Sequence, residues 1–120
     1  MQTRRTQRVA DLILQEAAGI LQKDVKDPRV GFVTLTGVTV AADLRTAKIF
    51  YTVLGEEANR EASARGLASA TPFVRREIAH RLRLRAAPEI RFLYDDSIEK
   101  TLHLQEMLEE ISHAPDESDR

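Results

Sequence analysis

The sequence predicts an α+β domain, with helices packed on a small sheet in the order helix, strand, strand, helix, helix, strand, and one more helix at the C-terminal end. Three observations carry this. Apolar residues recur at helical spacing through the first 24 residues, three short stretches alternate apolar and polar residues, and Pro28, Gly55 and Pro88 punctuate the boundaries between them.

The first helix runs from about Arg5 to Asp24, with Val9, Ile13, Ala17, Ile20 and Leu21 on one face and Arg4, Arg8, Asp11 and Gln15 opposite. Asp27-Pro28 stops it, because proline disfavours helical geometry in the residue before it and cannot donate to the ladder. Gly31 to Val40 (GFVTLTGVTV) is the first strand. Val33 and Leu35 lie in one phase and Val38 and Val40 in the other, so a bulge near Gly37 is needed to keep all four on one face. The turn AADLRT leads to a second strand, Ala47 to Leu54, with Ala47, Ile49, Tyr51 and Val53 sharing a face; so short a connection implies an antiparallel hairpin. Glu56 to Ser69 reads as the second helix, led by acidic residues that suit a helix N-terminus.

Pro72 then argues for a separate third helix. Thr71 is a good N-cap, and proline at the first helical position loses no hydrogen bond. Glu89 to Tyr94 is the third strand, and Asp95, Asp96 and Ser97 offer caps for a last helix from Ile98 to about Ile111. In that helix Ile98 and Leu102 share one side, whereas Leu104, Met107, Leu108 and Ile111 fall nearly opposite; a bend that brings both stripes to the core is the favoured expectation, with an exposed partner site as the alternative. The terminal APDESDR is polar enough to be disordered. Residues 1–96 thus form the domain body, and residues 97–120 a helix with an acidic tail.

Composition narrows the function. A chain of 120 residues supports one domain, and the absence of cysteine excludes disulfides and thiolate metal sites. No secretory signal is recognisable and no apolar run approaches the roughly 18 residues of a membrane span, so the cytoplasm is the expected location. The five glycines are never closer than six positions, which rules out a dinucleotide fingerprint, a P-loop and a GxxG loop. His80, His103 and His113 lack metal-ligand spacing, and the paired carboxylates Asp95-Asp96 and Glu109-Glu110 are explained by a cap and a solvated face. No catalytic residue, metal or cofactor is expected. The net charge of −1 conceals a division: residues 1–91 hold 16 basic and 10 acidic side chains, residues 92–120 hold 2 and 9. A basic body suggests a polyanionic partner.

The segment SATPFVRREIAHRLRLR concentrates that charge. On a helix starting at Pro72, Val74, Ile78 and Leu82 form a core stripe, Arg75 and Arg81 flank it, and Arg76, His80 and Arg83 lie opposite, with Arg85 just beyond. Free N–H groups at such a helix start, together with the arginines, would make a phosphate-binding surface; on this segment alone, a solvated face with snorkelling arginine stems is an equal reading. Arg4, Arg5 and Arg8 on the first helix and Arg45 in the hairpin turn are candidates to extend the patch.

The stretches RVADLILQEAAGIL, VKDPRVGFVTLTGVTVAADLRTAKIFYTV and FVRREIAHRLRLRAAPEIRFLYDDSIEK, colinear over about Arg8 to Leu108, resemble the ribosome-binding factor A family, bacterial small-subunit maturation factors. The resemblance rests on Asp27-Pro28-Arg29-Val30-Gly31, the Thr-x-Thr strand with Asp43-Leu44 and Ala47 beyond it, and the Leu84-Arg85-x-x-Pro88 junction leading to Phe92, Asp96, Ser97 and Glu99. It implies a type II KH-like fold and a non-catalytic role: binding of the free 30S subunit at 16S rRNA, by a monomer, in late maturation and rRNA processing, with small-subunit ribosomal proteins as further partners. It also implies a helix-kink-helix marked by alanine-x-glycine. Ala70, Thr71 and Pro72 occupy those positions here, with proline in place of the glycine. The alternatives are a protein-interaction module working through the last helix and a general single-stranded RNA binder.

Overall fold

A computed structural model describes residues 3–113; the predicted disordered tail lies outside the described residues. Helix α1 (Arg4–Gly19) starts at a reciprocal cap, in which the Thr3 hydroxyl accepts the Thr6 N–H and the Thr6 hydroxyl accepts the Thr3 N–H. It continues into a π-helical turn, Ile20–Asp24, and the whole element buries Ala10, Ile13, Ala17, Ile20 and Leu21. The predicted extent therefore holds, with a wider last turn. Asp27 then caps a 3-10 turn, Pro28–Val30: its carboxylate accepts from the Arg29 N–H and grips the Arg29 guanidinium through both oxygens. That grip holds the Asp27 carboxyl below its ordinary pKa.

Strands β1 (Val33–Val40) and β2 (Thr46–Val53) pair antiparallel, and their register shifts between Leu35 and Gly37. This is the expected bulge. Thr36 is the extra residue, and its hydroxyl donates to Asp95 at 2.7 Å. Strand β3 (Glu89–Tyr94) lies parallel to β2, giving the order β1-β2-β3. A parallel neighbour requires a crossover, and helix α2 (Glu57–Arg81) provides it. Both helices cover one face of the sheet, where Ala47, Ile49, Tyr51 and Ile90 are buried; Thr34, Thr39, Lys48 and Arg91 on the other face are exposed.

Here the structure corrects the sequence reading. Glu57 to Arg81 is one helix, with Pro72 inside it. Thr71 is not an N-cap; its hydroxyl donates to the Leu67 carbonyl one turn back, at 2.7 Å. The reason is burial. Ser63, Gly66, Leu67, Ala70, Val74 and Ile78 form one uninterrupted stripe in helical phase across the proline, all of them buried. Pro72 faces solvent, and the carbonyl four residues back, which loses its donor, belongs to the exposed Ala68, where water can replace it.

The start of α2 packs on the 3-10 turn. The buried Ser63 hydroxyl donates to the Arg29 carbonyl at 2.9 Å, and Gly66 lies so close that an added Cβ would stand 2.9 Å from the Arg29 Cβ. Helix α3 (Ser97–His113) behaves differently: Ile98, Leu102, Leu104, Met107, Leu108 and Ile111 are all exposed. The expected bend toward the core is therefore absent, and both apolar stripes face solvent. What ties α3 down is its first turn, where Glu99 accepts from the Tyr94 hydroxyl at 3.0 Å and pairs with Arg60 at 4.0 Å. Among the described residues, no helix is long and apolar enough to cross a membrane.

Candidate nucleic-acid interface

The C-terminal end of α2 is anchored by Val74 and Ile78, both fully buried, and by the half-buried Leu82. The cations around this stripe divide into two groups. Arg75 is turned onto the connection to β3, with Nε donating to the Pro88 carbonyl at 2.9 Å and a terminal nitrogen to that of Ala87 at 3.3 Å. Arg81 meets three carboxylates, Asp24 at 2.7 Å, Glu77 at 3.3 Å and Glu16 at 3.4 Å, so it ties the end of α2 to α1 and the π turn. The hydrogen bond to Asp24, backed by Glu16 and Glu77, raises the Arg81 pKa above its ordinary value. These two arginines have architectural partners.

The second group is Arg76, His80, Arg83 and Arg85. All four are exposed, and among the described residues none has an ion pair. His80, Arg81 and Arg83 line one shallow depression with Ala79 and Leu84. Arg83 is not on the helix, as the projection from sequence assumed. It follows the C-cap Leu82 and adopts φ 54°, the left-handed conformation that glycine usually supplies at this point. The surrounding hydrogen bonds define a Schellman motif: the Arg83 N–H reaches the His80 carbonyl at 3.3 Å and the Leu84 N–H reaches that of Ala79 at 2.9 Å. The motif reverses the chain and projects the Arg83 side chain from the corner. Nothing in the sequence marks the turn, since its usual glycine is missing.

The phosphate-binding helix start expected at Pro72 has no counterpart. The cations cluster instead at the C-terminal end of α2, where the helix dipole favours positive side chains. Any hold on phosphate there must come from side chains and not from free backbone amides. Ala70 is buried, Thr71 is partly buried and Pro72 is exposed, so the three are positions in a continuous helix.

Arg45 is exposed in the hairpin turn, held beside the start of β3 by the Glu89 N–H, which donates to the Arg45 carbonyl at 2.8 Å. That turn is set by Leu44, whose φ of 62° is matched to a half-buried side chain packed against the core. Arg45 thus sits next to the strand that the Arg83–Arg85 loop enters. Arg4, Arg5 and Arg8 are exposed on the first turns of α1, and no contact among the described residues joins them to the α2 group. Among those residues there is also no cluster of side chains that could hold a metal ion.

Comparison with known proteins gives a consistent result. The family model described as ribosome-binding factor A matches residues 5–108. Ribosome-binding factor A of Geobacter sulfurreducens is 50% identical over 107 residues, 89% of this chain and 91% of that protein. The Halothermothrix orenii protein of the same name is 40% identical over 120 residues, 100% of this chain and 98% of its own length. A solution structure from Thermotoga maritima, described as a ribosome binding factor A, superposes with a TM-score of 0.68 at 34% identity, covering 78% of this chain and 89% of that one. The fold is shared by a Thermus thermophilus crystal structure of ribosome-binding factor A (TM-score 0.66, 24% identity, 74% of this chain and 94% of that one) and by a homology model of the Thermus thermophilus factor as fitted into the cryo-EM map of its 30S complex (TM-score 0.57, 21% identity, 80% and 97%). With a family match spanning both helices and all three strands of the body, and relatives aligned over nearly their whole length, this chain belongs to the ribosome-binding factor A family.

Proposed function

We propose that the protein is a non-catalytic assembly factor that binds the free 30S subunit at 16S rRNA and assists its late maturation and rRNA processing, acting as a monomer in the cytoplasm. Family membership supports the biological role, and so does the Thermus relative fitted into a map of a 30S complex. A type II KH-like architecture is supported by the order helix, strand, strand, helix, strand, with an antiparallel first pair and a parallel second one.

The observation that carries an RNA contact at the α2 corner is Arg83. A non-glycine residue in the left-handed region costs about 1–2 kcal/mol, yet the turn holds an arginine there, exposed and aimed away from the core. Strain retained at an exposed cation is what a binding function would maintain against the fold's preference for glycine. His80 lines the same depression as Arg83, and Arg76, Arg85 and Arg45 are the further phosphate contacts of this reading, while Arg75 and Arg81 shape the corner. Arg4, Arg5 and Arg8 form a separate basic strip. Mechanistically, the factor would favour one rRNA arrangement in proportion to its differential affinity for the two, since equal binding would shift nothing.

Co-sedimentation with free 30S subunits across a salt series tests the proposal. Charge reversal at Arg76, Arg83 and Arg85 should weaken binding and flatten its salt dependence, by about one unit of slope per lost phosphate contact. An unchanged slope would move the RNA contact away from this corner.

A further inference from the structure

Helix α3 carries a surface that neither the core nor the basic corner uses. Leu104, Met107, Leu108 and Ile111 recur at i, i+3, i+4 and i+7 and are 55%, 46%, 54% and 60% exposed. Glu99, Glu106 and Glu110 run along the opposite side of the same helix, together with the shorter exposed stripe of Ile98 and Leu102. This is the pattern of a helix that lays an apolar face into a groove. The four half-exposed side chains offer roughly 400 Å², the size of a typical monomer's largest apolar patch, which is often functional.

The helix is presented by a clamp at its base. Glu99 is held by Tyr94 and Arg60; the Arg60 guanidinium stacks 3.5 Å above the Tyr94 ring, and that ring meets Tyr51 edge-on at 5.7 Å. Arg60 belongs to the first turns of α2, whereas the basic corner lies at its other end, about 30 Å away at 1.5 Å per residue. The molecule therefore has a cationic end and an anionic, apolar end.

Charge decides what the second end can meet. Residues 92–120 hold 9 acidic and 2 basic side chains, a field that repels rRNA phosphates and anionic lipid. A second copy fits poorly, because it would set two acidic helices against each other. We infer that α3 is a protein-docking helix, whose Leu104-Met107-Leu108-Ile111 face seats in an apolar groove of a basic protein component of the 30S subunit. This rests on the 30S reading above. Phosphate contacts at one end of α2 and a protein contact beyond the other would let the factor distinguish an assembled particle from bare rRNA.

The test uses the full chain carrying Leu104→Gln and Leu108→Gln, which keeps charge and helix propensity and alters only exposed positions. Binding to intact 30S subunits and to protein-free 16S rRNA is measured in parallel, with circular dichroism to check the fold. The expected result is about ten-fold weaker binding to the intact subunit, the scale of losing interface anchors, with rRNA binding unchanged. Equal binding of the variant and the parent chain to intact subunits overturns the inference and leaves the 30S reading standing. So does an equal loss on both targets, which would make α3 an RNA contact. A parent chain that sediments as a dimer, with the variant monomeric, assigns the stripe to self-association and also overturns it. A parent chain that fails to bind the intact subunit removes the 30S reading and this inference with it.

Discussion

Replacing Arg83 by glycine should make the protein more stable and a poorer binder at once. The C-terminal corner of α2 places residue 83 at φ 54° with both Schellman hydrogen bonds made. Relief of the left-handed penalty is worth about 1–2 kcal/mol, against which glycine's greater freedom in the unfolded chain returns about 0.5–1 kcal/mol. The expected net gain is about 0.5–1 kcal/mol, or roughly 2–5 °C in Tm for a domain of this size. The Arg83 side chain is exposed and unpaired among the described residues, so no lost contact opposes that gain. Thermal and urea unfolding measure the first effect; co-sedimentation with 30S subunits at several salt concentrations measures the second, expected as weaker binding with a slope lower by about one. Arg83→Lys is the control, keeping both charge and strain, and should match the parent in stability. A glycine variant no more stable than the parent would refute the strain argument. A more stable variant with undiminished binding would refute the role given to the arginine.

Three further outcomes follow from the same geometry. Gly66→Ala should destabilise despite alanine's helix preference of about 1 kcal/mol, because its Cβ would meet the Arg29 Cβ at 2.9 Å and overpacking costs about 1–3 kcal/mol; a raised urea midpoint would contradict this. Pro72→Ala should stabilise by about 1–2 kcal/mol, since an interior proline costs about 3 kcal/mol relative to alanine and part of that is offset in the unfolded chain; an unchanged or lower Tm would mean that the helix depends on the proline. Acid should weaken the link between the β1 bulge and the end of β3. The Asp95 carboxyl is held below its ordinary 3.8 by hydrogen bonds from Ser97 first and Thr36 next, so its stabilisation is present above that value and is lost as pH falls through the lowered one. Unfolding midpoints of the parent should therefore drop more than those of Asp95→Asn between about pH 5 and pH 3, and parallel curves would rule out this coupling.

Much of the body was legible because side-chain periodicity reports burial directly. The phase shift across Thr36-Gly37 located the bulge, and the Val74-Ile78 stripe located the buried face of α2. At Pro72 a local rule predicts a break that tertiary burial overrides. Leu67, Ala70, Val74 and Ile78 already shared one helical phase in the sequence, and burying that stripe outweighs one missing hydrogen bond. The division among the arginines was hidden for a different reason. Helical projection puts Arg75 beside Arg76, but only the fold brings the Pro88 carbonyl to Arg75 and Glu16 and Asp24 to Arg81, residues 13, 65 and 57 positions away. Likewise the left-handed corner at Arg83 lacks its glycine signal, so it emerged only from backbone geometry.

That division changes what a basic segment means. Five arginines in seventeen residues read equally as one binding surface or as a solvated face, yet two of them are engaged in building the corner. Arg81 joins α2 to α1 through three carboxylates, and Arg75 fixes the loop on which Arg83 and Arg85 stand. Removing an architectural arginine should alter binding through the shape of the corner, with a loss of stability; removing an exposed one should alter binding through charge, with stability kept or raised. The two classes separate in a plot of unfolding midpoint against salt slope, whereas loss of affinity alone would merge them. A binding defect at Arg81 is therefore not proof of a phosphate contact, and a salt slope preserved in Arg81→Met alongside a lowered midpoint would identify it as part of the frame.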